Sequence, residues 1–272
     1  MYEPSVIAQL RAGESVSVEE AALLISTDAK PGLSSAACLR ALDELAAPMK
    51  RATALGGSPE DLARLLALQL AEHEGFRGNS VEYEDPRNSY LHEVLRRRLG
   101  IPISLTIIWM AVGRRAGMQI DGIPFPGHFL ARVGGPSGVL VDPFHGGRLV
   151  GENDLQRILQ AQGLGDTSFS RSMLHPANTR AVLIRMLMNL KRIHEARGDF
   201  RSLLLVCDRL VDLTDAPEHR RDRGVAAYHL GSFQAASDDL FAYVDHCADA
   251  PDAWQVAAAA ERARSRSTSN LQ

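Results

Sequence analysis

An excess of charge of one sign, cysteine and long apolar runs are all scarce in this chain, and each scarcity removes a class of function. Thirty Lys and Arg stand against 33 Asp and Glu in 272 residues, a formal net charge of -3, so no basic footprint for nucleic acid is present. The 3 cysteines, Cys38, Cys207 and Cys247, are widely separated and lack CxxC spacing, which argues against a disulfide framework or a cysteine zinc site. They read as reduced, structural thiols. The longest apolar run, 105–112 with Thr106 inside it, is far short of the roughly 20 residues that span a bilayer. Met1-Tyr2-Glu3-Pro4-Ser5 has neither the basic region nor the apolar core of a signal peptide. Together these absences predict a cytoplasmic chain with no membrane or nucleic-acid partner.

What is present is the composition of an ordinary globular protein, 45% hydrophobic and 23% charged, with length for two modest domains at roughly 100 to 200 residues each. Leu23, Leu24, Leu39, Leu42, Leu45, Leu62, Leu65 and Leu66 recur at helical spacing through the first 74 residues. Ser58-Pro59-Glu60-Asp61 supplies a capping serine, a first-turn proline and an early acid, and predicts a helix over 59–73. Residues 75–88 are rich in turn formers. A helical pattern resumes over 89–99 and closes on Arg96, Arg97 and Arg98 before Gly100, read as a stop glycine. The three arginines fit cations complementing a helix C-terminus, with an anion site as the other reading.

From Ser104 to Ala116 the chain is apolar nearly all round, which predicts a buried helix with Trp109 and Met110 in the core. The period then changes to two. Residues 128–133 and 139–142, separated by the glycine-rich turn 134–138, predict a β-hairpin. Keeping apolar faces together pairs Phe129 with Val141 and Ala131 with Val139, and sets His128 directly opposite Asp142. A helix is expected near 153–160. After it, Gly198-Asp199-Phe200 recurs 33 residues later as Gly231-Ser232-Phe233, and Ala216-Pro217-Glu218 recurs as Ala250-Pro251-Asp252. That period is the tetratricopeptide signature and covers about two units. The fold class is therefore α+β and mostly helical, with a C-terminal repeat tail.

A helix starting near residue 104 beside a hairpin that presents His128 and Asp142 is the frame of a cysteine-hydrolase triad, in which a nucleophile, an imidazole and an orienting acid meet. The nucleophile position holds Ser104, whose hydroxyl gains little from a helix dipole. Two readings stay open for it: a helix N-cap left where a nucleophile was lost, or a weak nucleophile activated by the pair. Cys38 as a replacement nucleophile and a two-histidine, one-carboxylate metal site on His128, Asp142 and His145 are the lesser alternatives. The reading adopted has no metal and no cofactor.

The runs Phe76-Arg77-Gly78-Asn79, Tyr83-Glu84-Asp85-Pro86-Arg87-Asn88-Ser89-Tyr90-Leu91, Gly100-Ile101-Pro102-Ile103-Ser104-Leu105, Pro126-Gly127-His128-Phe129 and Asp142-Pro143-Phe144-His145-Gly146-Gly147 resemble the bacterial SirB-type family. The resemblance implies a papain-like, transglutaminase-like α+β core followed by tetratricopeptide repeats. It puts the superfamily's histidine on His128, its acid on Asp142 and its cysteine on or beside Ser104. The expected organisation is an N-terminal helical segment (1–74), a transglutaminase-like core (75–163), repeats (176–262) and a frayed tail (263–272). The expected function is non-catalytic or regulatory, with a protein or peptide partner held by the repeats and the core cleft. The alternative is a hydrolase or acyltransferase using a Ser104-His128-Asp142 triad.

Overall fold

A computed structural model of the chain describes residues 5–269. It divides into two compact units: Val16–Met186, and the described parts of Met1–Ser15 and Leu187–Gln272. The division falls inside one helix, Thr179–Arg197.

The helix Pro102–Arg115 is the axis of the larger unit, and its residues 102 to 113 are all buried. Helices Val18–Ala29, Ser35–Ala46 and Leu91–Arg97 pack around it on one side, and a sheet covers another. This helix is apolar all round because it has no solvent face. The helices from Val18 to residue 73 therefore lie in the same compact unit as the core, while the helix Val6–Arg11 falls in the other. Pro102 at the first helical position, with its ring-fixed φ and no amide to satisfy, sets the helix start two residues before Ser104.

The predicted helix over 59–73 forms as an α-helix, Pro59–Leu66, that continues as a π-helix, Ala67–His73. Its capping box is present: Ser58 Oγ accepts from Asp61 N, and Asp61 Oδ2 accepts from Ser58 N. The expected stop at Gly100 is not where the next helix ends. Leu91–Arg97 closes on Arg98 in the left-handed conformation, φ 61°. Gly100 is small for another reason, since a Cβ there would lie 2.7 Å from Ser104 Oγ and 3.0 Å from the Leu105 and Val94 side chains. The three arginines are committed to scaffold: Arg96 to Glu93, Arg97 to Asp85 and Asn88, Arg98 to Glu74 and over the Phe76 ring. They do not gather into an anion site.

Six strands occur among the described residues. A parallel pair, β1 (Arg77–Gly78) and β2 (Leu99–Gly100), ties the loop region together. The main antiparallel sheet has the order β3 (Ile120–Phe125), β4 (His128–Val133), β5 (Val139–Asp142), β6 (Arg148–Val150). The predicted hairpin is its centre, but in a different register: Ala131 pairs with Val141 and Val133 with Val139, so Asp142 falls opposite Leu130 rather than His128. The slip is two residues. An even slip keeps every side chain on its face, which is why the polar partners still meet, now on a diagonal. One face of the sheet lies on the buried helix. The other carries Ile123, Phe125, Leu130 and Leu140, packed against Leu155 and Leu159 of the helix Glu152–Ala161.

In the second unit the helices Phe200–Leu213, Glu218–His229, Phe233–His246 and Ala253–Ser269 stack in succession, with Gly198 and Gly231 at the turns inside helix pairs. The repeat period read from the sequence corresponds to these pairs. Where fraying was expected after residue 262, the last helix continues to Ser269, carrying Ala263 into the packed interface; residues 270–272 lie outside the described residues.

Candidate functional site

His128 begins β4 directly after the tight turn Pro126-Gly127, and Asp142 ends β5. Both positions follow from strand ends, where side chains meet without interrupting a ladder. His128 Nε2 lies 2.9 Å from Asp142 Oδ1. This nitrogen is buried, and Asp142 is its one recorded partner among the described residues. His145, three residues after Asp142, is the third member, with Nδ1 2.7 Å from Oδ2.

Asp142 is the hub. Its side chain is fully buried, and Oδ1 accepts from Phe144 N at 3.1 Å and His145 N at 3.3 Å, capping the short 3-10 turn Pro143–His145. Burial alone would push its carboxyl up; the contacts with His128 and then His145 outweigh this and hold it below the usual carboxylate range. Arg148 Nε stands 3.7 Å from Oδ2. Phe144 roofs the corner, edge-on to His128, His145 and Tyr83. Trp109 lies so close to Gly147 that a Cβ there would lie 2.0 Å from the ring; φ of 78° also requires glycine.

Ser104 is not part of this corner. It is the third helical residue rather than the N-cap, and its side chain is completely buried. Oγ accepts from Ile101 N at 3.1 Å and donates its one proton at Asn88 O, 2.6 Å away, with Ile101 O at 3.1 Å. It hydrogen-bonds to neither His128 nor Asp142. The loop that offers Asn88 O is itself a polar lattice: Asn79 Nδ2 donates to Asn88 Oδ1, Asn88 Nδ2 donates to Glu82 O, and Asp85 accepts from Arg87. Several residues that carry the sequence resemblance thus build scaffold. Cys38 is half-buried, and burial pushes its thiol up, the reverse of an activated nucleophile.

Sequence reasoning missed Arg185. Its guanidinium donates to His128 O at 2.7 Å and Phe125 O at 3.3 Å and covers the Phe129 ring, clamping the turn that launches His128. Burial lowers its pKa, and no carboxylate pairs with it among the described residues. A contact spanning 57 residues leaves no local trace in the sequence.

Comparison with known proteins agrees with this architecture. Residues 36–188 match the family described as the transglutaminase-like superfamily, and residues 190–261 match tetratricopeptide repeats. A UPF0162 protein of Xylella fastidiosa is 41% identical over 180 residues, 64% of each chain. One from Pseudomonas aeruginosa is 32% identical over 208 residues, 76% of each chain. Human F-box only protein 21 is 30% identical over 138 residues, half of this chain and 22% of its own length. No solved structure matches. Among the described residues, no helix is long and apolar enough to cross a membrane. The chain belongs to the transglutaminase-like superfamily, with tetratricopeptide repeats following the core.

Proposed function

We propose that this chain is a non-catalytic member of the superfamily, of the SirB type, whose core keeps the His128-Asp142 pair as a fixed polar corner and whose repeats hold a protein or peptide partner. The observation that carries this reading is the Ser104 hydroxyl: its proton is given to Asn88 O in a fully buried site, so it is not offered to His128. A general base must reach the proton it removes, directly or through one water. The serine-triad alternative therefore lacks its first contact.

Support for the binding role comes from the repeat unit. A groove of about 480 Å³ is lined by Leu205, Ala227 and Ala235 with Asp208, Asp238 and Arg223 at its rim. Arg223 is already neutralised by Asp208 and Asp239, which leaves an apolar floor with an acidic edge. Such a groove suits a basic amphipathic helix. Titration calorimetry of the full chain with a lysine-rich amphipathic peptide should give saturable binding that Leu205→Asp abolishes and added salt weakens. Equal binding by the variant, or heat no different from a scrambled peptide, would remove the repeats as the binding surface.

A further inference from the structure

The polar corner holds more than a triad remnant needs. A His-Asp pair requires one imidazole; here a second, His145, reaches the same carboxylate. One ligand atom from each of His128, Asp142 and His145 lies within 4.8 Å of the others. From these atoms the geometry points to a divalent-cation site of the two-histidine, one-carboxylate kind, suited to zinc, with a fourth position open to solvent.

Three features carry it. First, spacing: a tetrahedral zinc with bonds of about 2.0 to 2.1 Å holds its ligand atoms about 3.3 Å apart. The two histidine nitrogens contact opposite oxygens of Asp142, 2.9 Å from His128 Nε2 to Oδ1 and 2.7 Å from His145 Nδ1 to Oδ2, and with one ligand atom taken from each residue the set lies within 4.8 Å. Reaching the tetrahedral spacing takes opening of the short contacts and closing of the widest separation, which rotation of the exposed His145 side chain supplies. Second, both imidazole nitrogens already face the carboxylate: His145 Nδ1 hydrogen-bonds Oδ2, and the buried His128 Nε2 stands 2.9 Å from Oδ1 with no other partner among the described residues. Third, the carboxylate is held in place independently of either imidazole, because the backbone amides of Phe144 and His145 fix Oδ1. Ligands anchored by outer-shell amides in this way bind with little reorganisation.

The surroundings set the access and the cost. His128 and Asp142 form the buried side of the site, while the His145 side chain is 52% exposed and supplies the entry. Arg148, at 3.7 Å from Oδ2 and itself half-exposed, competes for the same oxygen. It swings to solvent when a metal binds. The site is independent of Ser104 and of the repeats, so it stands or falls apart from the function proposed above.

The test uses the full chain freed of metal by a chelator, titrated with zinc chloride and, separately, with cobalt(II) as a spectroscopic probe. One equivalent of zinc binds, and cobalt gives the intense visible absorption of four-coordination. His145→Ala, at an exposed position that the fold tolerates, weakens binding by more than about 100-fold, beyond the effect typical of outer-shell changes. His128→Gln does the same where circular dichroism shows it folded. Arg148→Ala tightens binding several-fold, since it removes a like charge from the site. Absence of a saturable equivalent, or binding that His145→Ala leaves unchanged, overturns the assignment and leaves a chain of histidine-carboxylate contacts without a metal. A cobalt spectrum of octahedral intensity overturns the three-ligand geometry.

Discussion

The two ends of the expected triad have met opposite fates. At the hairpin end, His128, Asp142 and His145 reach toward one another across strand termini, and the carboxylate is held by backbone amides. At the helix end, Ser104 is folded back into the first turn and spends its hydroxyl on Ile101 N and Asn88 O. The difference teaches that residues expected to converge on one site can be held for different ends: the acid and the imidazoles meet across strand termini, while the Ser104 hydroxyl is bonded into the scaffold.

The largest expected effect erases the difference by undermining both ends. Trp109 is fully buried on the central helix and supports the turn at Gly147, so Trp109→Ala should cost about 3 to 5 kcal/mol. Urea denaturation measures it; a loss below about 1 kcal/mol would contradict the burial described.

A smaller change breaks the hairpin end alone. Asp142→Asn keeps the size of the side chain and removes its charge, and should cost about 1.5 to 3 kcal/mol at neutral pH, the worth of hydrogen bonds to a charged group. The pH dependence gives the sign. Asp142 titrates below its unfolded value of about 3.9, so its stabilisation is complete above that pH and is lost as pH falls through the folded value. The variant should show a shallower loss of stability below about pH 4 than the parent. Parallel acid limbs for the two proteins would mean that the carboxylate is not held as described.

Legibility in the sequence followed the same divide. The meeting of His128 and Asp142 was readable because strand alternation fixes the face of each residue, and that survives an even error in register. The register itself was not readable, because residues 134–138 permit more than one loop closure and β3, broken by Gly122 and Pro124, shows no clean alternation. The direction of Ser104 turned on where its helix begins. Pro102 carries that signal, and a start at residue 104 makes the serine a cap rather than an acceptor at the third helical position. Asn88 O and Arg185 reach their partners from distant segments, 16 and 57 residues away, and only the folded chain reveals them. The repeats were legible because their period is carried by turn residues, which depend little on tertiary context.

The most direct test of the account is the labelling of Ser104→Cys with iodoacetamide at neutral pH, read by peptide mapping so that Cys38, Cys207 and Cys247 are distinguished. A thiol enclosed in the first helical turn should react more slowly than half-buried Cys38 and gain speed only on unfolding. Rapid labelling of the folded variant, slowed by His128→Gln, would mean that the imidazole activates residue 104, and would contradict a nucleophile position absorbed into the scaffold.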